Sequence, residues 1–142
     1  MRRNKSIKIL WIEDDEYLVS LFKEEFEKHK FSLIHLKFSE DIETIDLQKI
    51  SFVILDVMLI NKIKYDDKSY KPTGYETRSG IHFCLEKIKV TEVPFIIYSN
   101  LRKTKIEKEY FDSIYPLKNF KGWFNKLDID VLSLLKRIHD II

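Results

Sequence analysis

The stretch Ser51 to Leu59, SFVILDVML, constrains this chain more than any other. Phe52, Val53, Ile54 and Leu55 form an unbroken apolar run, followed by the single carboxylate of Asp56 and then by apolar residues again. Such a run, rich in β-branched and aromatic side chains, reads as a strand buried on both faces, as in a parallel sheet covered by helices. Asp56 then stands at the carboxyl end of the strand. In open α/β sheets that edge is where loops open a crevice for ligands. An aspartate there also serves simply to end a strand and start a turn, so the decisive matter is whether other residues converge on it.

The rest of the chain repeats one pattern. Ile7 to Ile12 is a short apolar run ending in Glu13, Asp14, Asp15 and Glu16, and it reads as the first strand. Leu18, Leu21, Phe22 and Phe26 then recur at helical spacing, with Asp14 or Asp15 placed to cap the first turn. Phe31 to Phe38 reads as a second strand nearer an edge, and Ser39 as the N-cap of a short helix through Ile42, Ile45 and Leu47. After the Asp56 strand, periodicity is lost over INKIKYDDKSYKPTGYETRS. A loop of that length marks an insertion that is functional or mobile, and Tyr65, Tyr70 and Tyr75 suit a lid or docking surface as well as a passive loop.

A third helix follows around Ile81, Leu85 and Ile88, then the buried strand Phe95 to Tyr98 with Ser99 and Asn100 at its end. A charged fourth helix runs from Thr104 to about Ile114, stopped by Pro116. Phe120 to Phe124 is the last strand, ending at Asn125 and Lys126. Ile129, Leu132, Leu135, Ile138 and Ile142 form a final amphipathic helix capped by Asp128 or Asp130. Strand followed by helix, repeated in this way, implies parallel strands with right-handed crossovers and helices on both faces.

Composition narrows the function classes. The chain of 142 residues fits one domain, and 44% hydrophobic against 34% charged content argues for a compact globule rather than disorder. Lys and Arg total 25 against 23 Asp and Glu, interleaved rather than clustered, so direct nucleic-acid binding is not expected. The apolar part of the amino terminus is broken by Lys8 and ends at Glu13, too short for a signal peptide or a membrane span. The single cysteine, Cys84, allows no internal disulfide and reads as a small buried hydrophobe on a helix, which points to a reducing cytoplasm. His29, His35, His82 and His139 show no ligand or phosphodonor spacing and read as structural or exposed.

The expected strand ends carry Glu13 and Asp14, Asp56, Ser99 and Lys126, all on one edge of a parallel sheet. Carboxylates crowded there repel, and a hard divalent ion, typically Mg²⁺, offsets them. Asp56 is thereby suited to attack an electrophilic phosphorus. Charge developing on the phosphoryl oxygens would be met by the ion, the Lys126 ammonium and the Ser99 hydroxyl.

These residues, quoted as IEDD at 12–15, VILDVML around Asp56, YSN at 98–100 and WFNK at 123–126, resemble the response-regulator receiver domain of bacterial phosphorelay signalling. The resemblance runs from about Lys5 to the carboxyl end and implies a stand-alone receiver over 1–142 with no output domain. It implies a flavodoxin-like (βα)5 doubly wound parallel sheet with strand order 2-1-3-4-5. It also implies that Asp56 accepts a phosphoryl group from a histidine kinase or phosphotransfer protein. Asp14, Asp56 and the Met58 carbonyl would hold Mg²⁺ directly and Glu13 through water, while Ser99 and Lys126 would bind the phosphoryl group. Trp123 matches the aromatic switch position. Phosphoryl binding would draw Ser99 inward and let Trp123 rotate, changing the surface of the fourth helix, fifth strand and fifth helix. A downstream protein, or a second copy in a homodimer, would read that surface. Such a protein is a cytoplasmic phosphoacceptor rather than an enzyme acting on other substrates, with no membrane partner.

Several positions depart from the family pattern. Ile60 and Leu127 stand where prolines are common, Asn100 where a small residue is common, and the insertion from Asn61 to Arg78 is long. They bear on phosphotransfer rate and loop geometry rather than on the fold. Met58 and Leu101 occupy places where family members often carry polar side chains that position a hydrolytic water, which implies slow loss of the phosphoryl group. A phosphorylation-independent interaction module is the alternative function class, kept open by Asn100 and Leu127, while retention of all five site residues favours the phosphorylatable switch. A metal-dependent phosphatase with an aspartyl nucleophile usually needs a second acid where Met58 stands.

Overall fold

The computed structural model describes residues 7–56, 84–99 and 116–142. They form a sheet of five parallel strands in the order β2-β1-β3-β4-β5, with β1 at Ile7–Ile12, β2 at Phe31–Leu36, β3 at Phe52–Leu55, β4 at Phe95–Ser99 and β5 at Phe120–Asn125. β3 is buried along its whole length, as its unbroken apolar run requires. β2 lies at an edge and is only half-buried, in keeping with its mixed polarity.

Each face of the sheet has its own core. Ile9, Trp11, Phe52, Ile54, Ile96 and Tyr98 point to one side, beneath α1 (Glu16–Lys28) and the carboxyl-terminal helix. Leu10, Ile12, Val53, Leu55, Phe95 and Ile97 point to the other, where they meet Ile42, Ile50 and a helix over 84–88, α2, carrying the buried Cys84. The carboxyl-terminal helix, α3, spans Val131–Ile141. Strand alternation with period two produces this division, since adjacent side chains leave opposite faces.

Local chemistry sets the helix ends. Asp15, not Asp14, caps α1, its Oδ1 accepting from Leu18 N at 3.1 Å, and Asp130, not Asp128, caps α3 by accepting from Ser133 N at 2.7 Å. Three expectations need correction. Leu21 is 53% exposed and Val19 takes its place in the core, while Leu132 of α3 and Ile142 just after it are exposed and Val131 and Leu134 are buried. The expected helix after Ser39 is instead two short 3-10 segments, Ser39–Thr44 and Leu47–Lys49. Ser39 is the first residue of the first segment rather than its cap, and Asp46 divides the pair by accepting from Gln48 N. Short polar side chains that bond nearby backbone compete with a continuous helix. The insertion after β3, Met58, Asn100, Leu101 and the expected fourth helix lie outside the described residues.

β5 carries an irregularity that the sequence reading did not anticipate. Phe95 pairs with Phe120 but Ile97 pairs with Trp123, so β5 has one extra residue there. Gly122 absorbs it at φ +142°, and a Cβ at that position would meet the Phe124 ring at 3.1 Å. The extra residue reverses the parity of the strand. Phe120 and Trp123 thus share one face, and Phe124 turns to the α1 and α3 side.

The start of β5 is tied to the segment before β4 by one buried amide. Asn119 Nδ2 donates to the carbonyls of Ile88, Thr91 and Val93 at 3.3, 3.3 and 3.0 Å, and Phe95 N donates to the Asn119 carbonyl at 2.9 Å. Asn119→Ala is expected to cost about 1–3 kcal/mol by leaving these acceptors unmet, read as a fall of roughly 3–10 °C in Tm. Asn119→Asp, which faces acceptors with an acceptor, is expected to cost more. An Asp variant as stable as the Ala variant in thermal unfolding would show that the amide donors do not hold this junction.

Candidate functional site

The carboxyl ends of β1, β3, β4 and β5 deliver the polar residues that the sequence placed there. Backbone bonds continue one step past the strands: Glu13 N donates to Leu36 O at 2.9 Å, Asp56 N to Ile12 O at 3.2 Å and Lys126 N to Ser99 O at 2.9 Å. These side chains therefore rest on sheet geometry rather than on free loops. His35 adds a bond from β2, its Nε2 lying 2.7 Å from the Glu13 carbonyl. A carbonyl only accepts, so that nitrogen carries the proton.

The side chains meet in a nearly dry cluster. Ser99 Oγ donates to Asp56 Oδ1 at 2.7 Å, Lys126 Nζ donates to Asp56 Oδ2 at 2.8 Å, and Lys126 also contacts Glu13 Oε1. Glu13 and Ser99 are fully buried and Asp56 is 5% exposed. Lys126 also sits 5.9 Å from the Tyr98 ring centroid, and the Tyr98 hydroxyl donates to Ile129 O at 2.9 Å, bracing the turn that leaves β5. Burial of that phenol pushes its pKa up to about 12.

One ammonium faces two buried acids, so the two compete for a single positive charge. Burial, followed by the hydrogen bond and charge of Asp56, raises the Glu13 pKa from 4.5 to about 9, against the opposing pull of Lys126. Without a cation the site thus favours a proton on Glu13 over a second buried charge, and Asp56 is the stronger partner of Lys126. Burial works against the Lys126 charge, but Asp56 and then Glu13 outweigh it and raise its pKa.

Oxygen atoms of Glu13, Asp14 and Asp56 lie within 4.8 Å of one another, and Glu13 Oε2 is buried with no hydrogen-bond partner among the described residues. A cluster of hard oxygen donors with a spare buried acceptor fits a hard divalent ion of the Mg²⁺ class. Of the expected ligands, Met58 lies outside the described residues.

Ser99 stands with its hydroxyl turned to Asp56. Trp123 is half-buried against the core face that contains Ile97 and Cys84. The turn after Lys126 is closed by Asn125 Oδ1, which accepts from the N–H of the exposed Leu127 at 2.8 Å. Proline in place of Leu127 has no such donor. An Asx-type turn thus does here what a fixed proline does elsewhere.

No family model matches the chain, and no curated protein matches it. Solved structures do. A two-component response regulator from Clostridium difficile has a TM-score of 0.67 at 17% identity, over 95% of this chain and 94% of that one. The receiver domain of HemR from Leptospira biflexa has 0.63 at 20% identity, over 95% and 93%. The BeF3-activated receiver domain of RstA from Klebsiella pneumoniae has 0.64 at 18% identity, over 93% and 95%. The chain has the receiver-domain fold. Within that fold, the edge carrying Asp56 is the crevice built by the strand ends.

The protonated Glu13 makes a pH-dependent contribution with a definite sign. Its folded pKa lies above the unfolded value, so its contribution to stability is complete below about pH 4.5 and is lost as pH rises toward about 9. Glu13→Gln, which keeps the neutral shape, is expected to stabilise the Mg²⁺-free protein by on the order of 2–4 kcal/mol near pH 8 and little near pH 5. Thermal melts of both proteins across that range measure it. A Tm difference that shrinks as pH rises would contradict the assignment.

Proposed function

We propose that this protein is a phosphoacceptor signalling switch in which Asp56 takes a phosphoryl group from a histidine kinase or phosphotransfer protein. The observation that carries the reading is the convergence on Asp56 of a hydroxyl, an ammonium and two further acids from separate strand ends. An Asp56 oxygen attacks the phosphorus of an N-phosphohistidine, an aspartyl phosphate forms, and the P–N bond breaks with the electron pair and a proton going to the departing imidazole. Mg²⁺, held by Asp14 and Asp56 with Glu13 nearby, would neutralise charge on the phosphoryl oxygens. Lys126 then exchanges the Asp56 carboxylate for a phosphoryl oxygen, and Ser99 redirects its proton the same way. Both donors stand in place beforehand, so little reorganisation accompanies the transfer.

The chemistry ends at self-phosphorylation and self-dephosphorylation, and the output is a changed binding surface. New charge-assisted bonds at Ser99 and Lys126 bias a two-state element, and a few kcal/mol suffices to invert its population. Ser99 and Trp123 together form that element. A downstream protein or a second copy would read the altered face. Among the described residues no helix is long and apolar enough to cross a membrane, and a cytoplasmic location suits this role.

Incubation with Mg²⁺ and acetyl phosphate is expected to add the mass of one phosphoryl group, with Asp56→Asn abolishing the gain and Asp14→Asn removing its dependence on Mg²⁺. No gain in the unmodified chain would favour the phosphorylation-independent interaction module instead.

Persistence of the signal is a separate expectation, resting on the side chains of Met58 and Leu101, neither of which holds a water. Losing one orienting hydrogen bond costs roughly 1.5–3 kcal/mol, or about 10–100-fold in rate. Phospho-Asp56 should therefore decay slowly, and Met58→Asn with Leu101→Glu should speed decay by about that factor. Decay measured by intact mass, unaltered in the double variant, would refute the water argument.

A further inference from the structure

At the opposite edge of the sheet from Asp56, two histidines 110 residues apart in the chain come together. His29 is the C-cap of α1 and His139 lies in the last turn of α3. His29 Nδ1 and His139 Nε2 are 3.2 Å apart. Both rings rest on the buried Phe31, at centroid distances of 6.3 Å for His29 and 4.6 Å for His139. Their backbones belong to helix ends and their rings lean on one fixed aromatic, so the pair is oriented before any ligand arrives.

We propose that His29 and His139 form a surface site for a divalent transition ion of the Zn²⁺, Ni²⁺ or Cu²⁺ class, which ties the end of α1 to the end of α3. The geometry supports it directly. Two imidazole nitrogens at the usual Zn–N bond length of about 2.0–2.1 Å are separated by about 2.9 Å at a right angle and about 3.3 Å at the tetrahedral angle. The observed separation lies between these values.

The electrostatics agree with the geometry. Two helix carboxyl ends converge here, and each favours positive charge in its last turn. The neighbouring cation Lys28 is occupied by Glu24 and Glu25. Imidazole suits Zn²⁺, Ni²⁺ and Cu²⁺, whereas Mg²⁺ prefers oxygen. Mg²⁺ is therefore confined to the acidic edge, and only the imidazole-preferring ions reach the histidine edge. With two protein ligands, the remaining coordination positions go to water or to a donor from another molecule.

A direct N–H···N hydrogen bond is the other arrangement compatible with this distance, and the experiment separates the two. The untagged full chain is titrated with ZnCl₂ by calorimetry while the ring protons of the histidines are followed by NMR, with MgCl₂ as the comparison. Expected are a Zn²⁺ binding event that persists in saturating MgCl₂, joint displacement of the His29 and His139 ring signals by Zn²⁺ but not by Mg²⁺, and a Zn²⁺-dependent rise in Tm. Each of His29→Ala and His139→Ala should weaken binding by at least about tenfold. The NMR arm needs no variant, so it decides the matter even if a substitution impairs folding. The proposal is overturned if Zn²⁺ leaves both ring signals in place, or if the variants lower Tm equally with and without Zn²⁺. Neither result bears on phosphorylation of Asp56.

Discussion

The ion pair between Lys126 and Asp56 joins the outer strand β5 to the central strand β3 across β4, and the rest of the functional edge depends on it. A carboxylate with 5% exposure is tolerated only when paired and hydrogen-bonded, and Lys126 and Ser99 together do this for both Asp56 oxygens. Removing one partner of such a pair leaves an uncompensated buried charge, at a cost of about 3–5 kcal/mol. One ammonium does not suffice for three neighbouring acids. The excess appears as the raised pKa of Glu13, so the edge favours either a proton or a divalent ion. Affinity for a cation and instability without one are the same property of this cluster.

The bulge at Gly122 makes the pairing of these residues with the two cores consistent. Had β5 run with unbroken period two from Phe120, Gly122 and Phe124 would share its face and Trp123 would turn to the α1 and α3 side. One extra residue at φ +142° reverses this. It places Trp123 beside the core of Ile97 and Cys84 and Phe124 against the opposite core. The glycine is needed for two reasons, since its φ suits few other residues and a Cβ would press on the Phe124 ring.

Much of this was legible in the sequence because strand identity and strand ends are encoded locally. The apolar runs of β1, β3 and β4 and the polar residues that stop them locate Glu13, Asp56 and Ser99 without any knowledge of contacts. Pairwise geometry across the sheet was not legible. His35, Asn119 and Asn125 look like ordinary polar residues until the carbonyls of Glu13 and Ile88 or the N–H of Leu127 are set beside them. Helix faces were readable only to within one position, as the exchange of Leu21 for Val19 shows, because a three-or-four spacing admits neighbouring stripes. A signal for the bulge did exist: a glycine inside an otherwise aromatic strand points to one.

Among the described residues the two faces of the sheet are covered by different kinds of element. One face lies under the 13-residue α1 and the 11-residue α3, with Trp11 stacked on Phe26 at 5.6 Å and both fully buried. The other lies partly under two 3-10 segments, which have few internal hydrogen bonds to lose. Elements that open at low cost are the ones a small bias can move. Trp123 sits on this second face, half-buried, three residues before the lysine that holds Asp56. Lys126 and Trp123 thus bring the Asp56 contact within three residues of chain of this second face. The α1 and α3 side is braced by its stacked aromatics and closed at its far end by Phe31 and the two histidines.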